Sequence, residues 1–321
     1  MRRFIFQILV FMFFLSGVFI WICSKADGYT DPFYIRFTTP KQENLILGTS
    51  RAAQGLQPAV FQTILNKQIY NYAFTVAHSP FGSTYLKSIK NKIKPNTKNG
   101  TFIITVDPWS LSSWTDIPND SLSFRELKLC LSNTNIVNLN PNPFYLLKNW
   151  NDKYYKILTN RTTKMFLHTN GWLEVNFDMD SITVQKKTED MVRTYRQDHL
   201  PNTNFSANRY TSLVETISFL ENHGKVYLVR LPIDSQLMEV EKELRPCFTN
   251  NIQNAIDMSS GYLDLTKQND NFRYIDGNHL SKDSGKIVSE IIAKWIRTDM
   301  ALTRNNIFID NSASNNQNNL Q

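Results

Sequence analysis

Cysteine and glycine are scarce in this chain, with three Cys and 11 Gly among 321 residues. So few cysteines exclude a disulfide-dense scaffold, and none stands at the spacing of a zinc site. The histidines, His78, His168, His199, His223 and His279, have no close Cys or His partners, so neither metal nor cofactor is expected. Low glycine with 12% aromatic residues argues against a disordered chain. Internal repeats are absent. The net charge of +7 is scattered along the chain without a nucleic-acid signature, so a solvated basic surface accounts for it and no nucleic-acid partner is expected.

Charge is missing altogether from Phe4 to Cys23, a run of the roughly 20 residues needed to cross a bilayer. Arg2 and Arg3 precede it, which by the positive-inside rule leaves the amino terminus in the cytoplasm and everything after Lys25 periplasmic or extracellular. A cleaved signal peptide has a shorter apolar centre and small residues before the cut. The bulky Trp21-Ile22-Cys23 favours an uncleaved anchor over residues 1–25 and speaks against a lipoprotein site at Cys23.

The remaining length, with hydrophobic residues at 41%, suffices for one sizeable domain over 26–300. Apolar runs at 44–47, 68–73, 101–106, 225–231 and 261–265 read as strands of a parallel sheet. Helical patterns cover 53–65, 80–93, 209–223, about 235–256 and 282–296. This alternation predicts an α/β fold: a flavodoxin-like three-layer sandwich with a five-stranded parallel sheet in the order 2-1-3-4-5. Between about 108 and 208 the alternation stops. A structureless loop of that length is improbable in a compact domain, so an inserted cap region is expected, with short helices near 143–158 and 181–197. Residues 301–321, rich in Asn, read as a disordered tail. Cys130 and Cys247 can pair or remain buried thiols.

Two motifs carry chemistry. Leu47-Gly48-Thr49-Ser50-Arg51 ends the first strand and opens a helix, the kind of turn that exposes a hydroxyl at the carboxyl edge of a sheet. Asp276-Gly277-Asn278-His279 lies just before Ser281, a candidate N-cap for the last helix. Together they supply a nucleophile (Ser50), a general base (His279) and an orienting acid (Asp276). Arg51 can bind an anionic group or make a salt bridge. His78, on the loop after the second strand, can contact substrate or cap its loop. Trp109, Trp114, Trp150 and Trp172 can stack on sugars or belong to the core.

On these two blocks the chain resembles the GDSL/SGNH hydrolase superfamily, over roughly 44–107 and 210–297. The likeness is closest to membrane-anchored members, such as the D-alanyl transfer protein of teichoic acid synthesis and acetyltransferase-like proteins of alginate and peptidoglycan modification. It implies an oxyanion hole fed by the N–H of Ser50 and by a second block, here Asn71-Tyr72-Ala73, with Ala73 near the family's glycine. The family's third-block asparagine has no counterpart, because the third strand runs into Asp107-Pro108-Trp109-Ser110. Asn71 is the candidate substitute donor. The resemblance implies a membrane-anchored serine esterase or O-acyl (acetyl) transferase acting on a cell-envelope glycan, served by a membrane-bound acyltransferase partner in the transferase version. The missing donor leaves open an inactive envelope scaffold or carbohydrate-binding protein of the same fold.

Overall fold

The computed structural model describes residues 1–159 and 164–318, with side chains as far as Leu302. Five strands, β1 (Leu45–Leu47), β2 (Tyr70–Asn71), β3 (Gly100–Thr105), β4 (Gly224–Arg230) and β5 (Gly261–Asp264), form one parallel sheet with neighbours in the order β2-β1-β3-β4-β5. Leu45, Ile46 and Leu47 lie opposite Phe102, Ile103 and Ile104. Because strand side chains alternate between faces, Leu45, Leu47, Phe102, Ile104, Val226 and Leu228 join one buried cluster, while Ile46, Ile103, Tyr227 and Val229 join another. Both faces are buried, as apolar parallel strands require.

The helices are labelled in chain order: α1 (Arg2–Cys23), α2 (Ser50–Gly55), α3 (Pro58–Leu65), α4 (Ser83–Lys92), α5 (Ser181–Thr194), α6 (Ala207–Glu221), α7 (Ser235–Leu244) and α8 (Lys282–Asn318). Tyr85 and Ile89 of α4 and Leu213, Ile217 and Leu220 of α6 fill the first cluster. Phe61 of α3 and Val288, Ile292 and Ile296 of α8 fill the second.

Proline accounts for two departures from the sequence-based expectations. The single helix expected over 53–65 is two, since the residue before Pro58 is forced out of the helical region and Gln57 is extended (φ −100°, ψ 106°). The helix expected over 235–256 stops at Leu244, just before Pro246, and short helical turns at Phe248–Asn251 and Gln253–Met258 replace the rest. At the other end, α8 does not stop near 296 but runs to Asn318, across most of the segment expected to be a disordered tail; residues 319–321 lie outside the described residues.

The stretch from 108 to 208 contains two small antiparallel pairs, Ser112–Ser113 with Asn204–Phe205 and Met165–Leu167 with Leu173–Val175. It also holds short helices at Pro143–Asn149 and Lys156–Thr159, and α5, which passes into a π-helical turn at Tyr195–His199. A buried ion pair between Glu126 and Arg209 of α6, at 2.8 Å, fastens this region to the sheet's helices. Trp109 and Trp172 are buried and Trp150 partly so, which leaves Trp114 as the exposed tryptophan of those four. Cys130 is a buried free thiol and Cys247 an exposed one, so they do not form the pair.

Helix α1 is long and apolar enough to cross a membrane, with mean hydropathy 2.5; its side chains are exposed as far as Val18, Phe19 and Ile22 are partly buried against the domain, and Cys23 is buried in the core.

Candidate active site

The position of Ser50, the candidate nucleophile, follows from a glycine. Gly48 ends β1 at φ +142°, and a Cβ there would lie 1.9 Å from Oγ1 of Thr105 on β3, so only glycine fits. Its N–H is donated to the Tyr85 hydroxyl at 3.1 Å and its carbonyl accepts the Ser79 hydroxyl at 2.7 Å. Thr49 is extended, and Ser50 is the first residue of α2. The backbone N–H groups of Ser50 and Arg51 have no acceptor among the described residues, as expected for a helix start.

On the opposing loop, Asp276 Oδ1 accepts the N–H groups of Asn278 at 3.0 Å and His279 at 2.9 Å, closing a tight turn through Gly277 at φ +79°. Asp276 Oδ2 lies 2.8 Å from Nδ1 of His279, and Nε2 of His279 lies 2.9 Å from Oγ of Ser50. With the carboxylate on Nδ1, that nitrogen carries the proton and Nε2 is the acceptor for the serine hydroxyl. Burial would raise the pKa of Asp276, but the neighbouring His279, its hydrogen bonds and the loop N–H groups outweigh burial and hold it below the ordinary value. The carboxylate therefore stays ionised to orient the base. Ser281 caps α8 as its sequence position suggests, accepting the Ser284 N–H at 3.3 Å.

Arg51 turns inward. Its Nε donates to Oδ1 of Asn278 at 2.8 Å and its Nη1 to Oε1 of Glu241 on α7 at 2.6 Å, while Arg230 at the end of β4 reaches the other Glu241 oxygen at 3.3 Å. Arg51 is 6% exposed and Glu241 1%. Burial works against the Arg51 charge, but Glu241 and then Asp107 outweigh it and hold the guanidinium above its ordinary pKa. Asp107 is shifted upward by burial, with Arg51 opposing. Burial pushes the Tyr195 phenol up to about 12, with Arg51, Asp107, Glu241 and Asp276 all close enough to act on it. Helix α5 of the inserted region also touches the Asp276–His279 loop: a Cβ on Gly277 would lie 2.8 Å from the Thr188 methyl.

The structure thus brings Ser50, Asp276 and His279 together, corrects the expectation for Asn71 and Ala73, and decides between the alternatives for Arg51 and His78. Asn71 is no oxyanion donor. Its amide is fully buried and gives both hydrogens to the carbonyls of Ala52 and Leu56, at 2.8 and 2.9 Å, while Oδ1 accepts the Ala73 N–H at 3.2 Å. That bond also occupies Ala73. Arg51 is engaged in a buried ion pair rather than held out for an anionic substrate. His78 bonds Thr75 Oγ1 at 2.7 Å and packs on the Phe33 ring, so it is a partner of its own loop and joins none of the triad residues.

Asn278, Glu241, Arg230 and Tyr195 went unassigned from sequence. A signal existed for Glu241: it follows Leu237 and Val240 on the buried face of α7, where a carboxylate must be paired. Tyr195 lies in a stretch without period and offered none. Among the described residues no group of three or more His, Cys, Asp and Glu side chains is placed to hold a metal ion. Compared with protein-family models and with curated proteins, the chain matches none.

Proposed function

We propose that the chain is a membrane-anchored serine esterase-like protein of the SGNH type, with a flavodoxin-like layering of helices about its sheet. Its catalytic domain stands on the extracytoplasmic face and transfers or hydrolyses O-acyl groups of a cell-envelope polysaccharide. The observation that carries this proposal is the unbroken chain from Ser50 through His279 to Asp276, at 2.9 and 2.8 Å, built from opposite ends of the sequence.

In that mechanism, His279 Nε2 removes the proton as Ser50 Oγ attacks the acyl carbonyl, and Asp276 stabilises the imidazolium. The tetrahedral intermediate collapses when the imidazolium protonates the leaving oxygen, which leaves the acyl group on Ser50. A sugar hydroxyl or water, deprotonated by the same imidazole, then accepts it. The transferase version receives its acyl group through a membrane-bound acyltransferase, and the anchor α1 supports that version by keeping the domain at the membrane.

The developing oxyanion needs donors, each worth about 100- to 1,000-fold in rate. The free N–H groups at the start of α2 supply part, and Asn278 is our candidate for the side-chain donor in place of Asn71. Arg51 occupies Asn278 Oδ1, which turns Nδ2 toward the site, 3.4 Å from the His279 nitrogen that bonds Ser50.

A fluorophosphonate probe tests the proposal: Ser50 should label covalently, and Ser50→Ala should not. A folded chain that stays unlabelled beside a labelled serine-esterase control favours the scaffold alternative, which draws on the engagement of Asn71 and Ala73 elsewhere.

A further inference from the structure

Where α1 meets the domain, Phe19 packs edge-on against Tyr154 with ring centroids 5.3 Å apart, Ile22 joins the core, and Cys23 is fully buried. A helix rises about 1.5 Å per residue, so Phe19 lies about 6 Å short of the helix end. Tyr154 is thereby held at the level where the apolar surface of α1 finishes. The helices on either side of Tyr154, Pro143–Asn149 and Lys156–Thr159, both contact α1.

Their inner residues Tyr145, Leu146 and Ile157 are buried, but their outer faces are not polar. Phe144 and Leu147, three residues apart on one helix, are 54% and 59% exposed; Leu158 on the other helix and Tyr155 in the turn leading into it are 37% and 54% exposed. Residues spaced as Phe144 and Leu147 share one helix face, and water-facing helices ordinarily carry polar residues there. Lys148, Lys153 and Lys156 adjoin these apolar groups in the chain; the one acidic residue among them, Asp152, pairs with Lys156 at 2.7 Å, which leaves Lys148 and Lys153 as uncompensated charges. Apolar and aromatic groups fringed by lysine match the interface of an anionic bilayer.

We propose that the outer faces of Pro143–Asn149 and Lys156–Thr159 lie in the headgroup layer of the bilayer that α1 enters, docking the domain on an anionic lipid surface. The proposal rests on α1 spanning the membrane. Lipid is the occupant, rather than a second copy of the chain, because the patch continues the exposed apolar surface of α1 at the height where that surface ends. Docking there restricts the tilt of the domain and holds Ser50 at a set height above the lipid.

The test uses the full chain in nanodiscs of phosphatidylcholine and phosphatidylglycerol. Cys247→Ser removes the exposed thiol, and Phe144→Cys, Leu158→Cys, Met12→Cys or Ile182→Cys is introduced singly and labelled with a polarity-sensitive fluorophore. Labels at 144 and 158 should emit to the blue and be quenched by nitroxides at the lipid headgroup, a label at 12 should be quenched by nitroxides deep in the acyl chains, and a label at 182 should be unaffected. Without phosphatidylglycerol, quenching at 144 should fall roughly twofold or more. Water-like emission and no quenching at 144 and 158, with 12 still quenched, overturns docking alone. No quenching at 12 overturns the anchor itself. Blue emission at 144 without lipid quenching means that protein covers the patch, quenching at 182 equal to that at 144 means that the domain presents no particular face to the lipid, and quenching indifferent to phosphatidylglycerol removes the anionic preference; each overturns the proposal as stated.

Discussion

Arg51 and Asn278 are joined by a buried hydrogen bond of 2.8 Å, so the residue after Ser50 grips the residue before His279. The two motifs that carry Ser50 and His279 are therefore tied to each other directly as well as through the fold. Glu241 anchors the tie from α7, and Arg230 balances its charge from the end of β4. The motifs meet where the carboxyl ends of β1 and β4 approach the loop before α8, which is why substitutions here separate orientation from chemistry.

Removing the nucleophile or the base should abolish fluorophosphonate labelling, since an unassisted hydroxyl is a poor nucleophile. Ser50→Ala and His279→Ala should both do so while the chain remains folded by circular dichroism. Asp276→Asn should leave slow labelling, reduced by up to about 10,000-fold if the wrong tautomer results. Full labelling in Ser50→Ala would remove the assignment.

Asn278→Ala should slow ester turnover by about 100- to 1,000-fold if its amide is an oxyanion donor. The loss should appear in kcat more than in KM, because the interaction forms in the transition state. Asn71→Ala, in contrast, should lower the melting temperature by leaving the Leu56 carbonyl and the Ala73 N–H unpaired, while the Ala52 carbonyl keeps the Leu56 N–H at 3.1 Å, with labelling retained in the fraction that folds.

Glu241→Gln should destabilise the chain by about 3–5 kcal/mol, because it leaves Arg51 and Arg230 buried without the carboxylate they share, with only Asp107 acting on Arg51 and Asp264, at 3.9 Å, on Arg230. Arg51→Met should cost less, on the order of 1–3 kcal/mol, since Glu241 keeps Arg230. Urea unfolding in detergent measures both, and the order of the two is the diagnostic result.

Gly48→Ala should destabilise by on the order of 2–3 kcal/mol and suppress labelling, because the new methyl meets Thr105 and the backbone conformation disfavours any L side chain. Adding Thr105→Ala should recover part of the stability by relieving the 1.9 Å approach, and the part due to φ should persist. Complete recovery would mean that the conformation itself is not strained.

His78 has its pKa lowered from 6.5 to about 4, by burial first and by Arg125 second. The folded chain then binds fewer protons than the unfolded one between those values. Stability from this group is fully present above pH 6.5 and is lost as pH falls toward 4, by on the order of 3 kcal/mol. His78→Gln should flatten that portion of the stability profile. An identical slope in the variant would show that His78 does not set it.

Much of this was legible in the sequence because the relevant physics is local. Runs such as Lys225 to Leu231 announce buried strands by apolar continuity, Ser281 announces a helix start by its capping hydroxyl, and the glycine before Thr49-Ser50 announces a turn. The length and charge of Phe4 to Cys23 mark a segment able to span a bilayer. These features depend on backbone preferences and solvent transfer, which a few neighbouring residues already decide. Pro58 and Pro246 were equally visible, and their power to break helices was underweighted.

Partnership at long range was not legible in the same way. Asn71 looks like a free polar residue at a strand end until the carbonyls of Ala52 and Leu56 are brought over it, and Arg51 reads equally as an anion binder or a salt-bridge partner until Glu241 arrives from 190 residues away. Hydrogen-bonding capacity belongs to the residue, but its use is settled by whichever groups the packed chain delivers within about 3 Å. The sequence alone therefore determined which side chains could do the chemistry. Tertiary structure decided which were left free to do it, because a buried donor must be satisfied before it can serve a substrate.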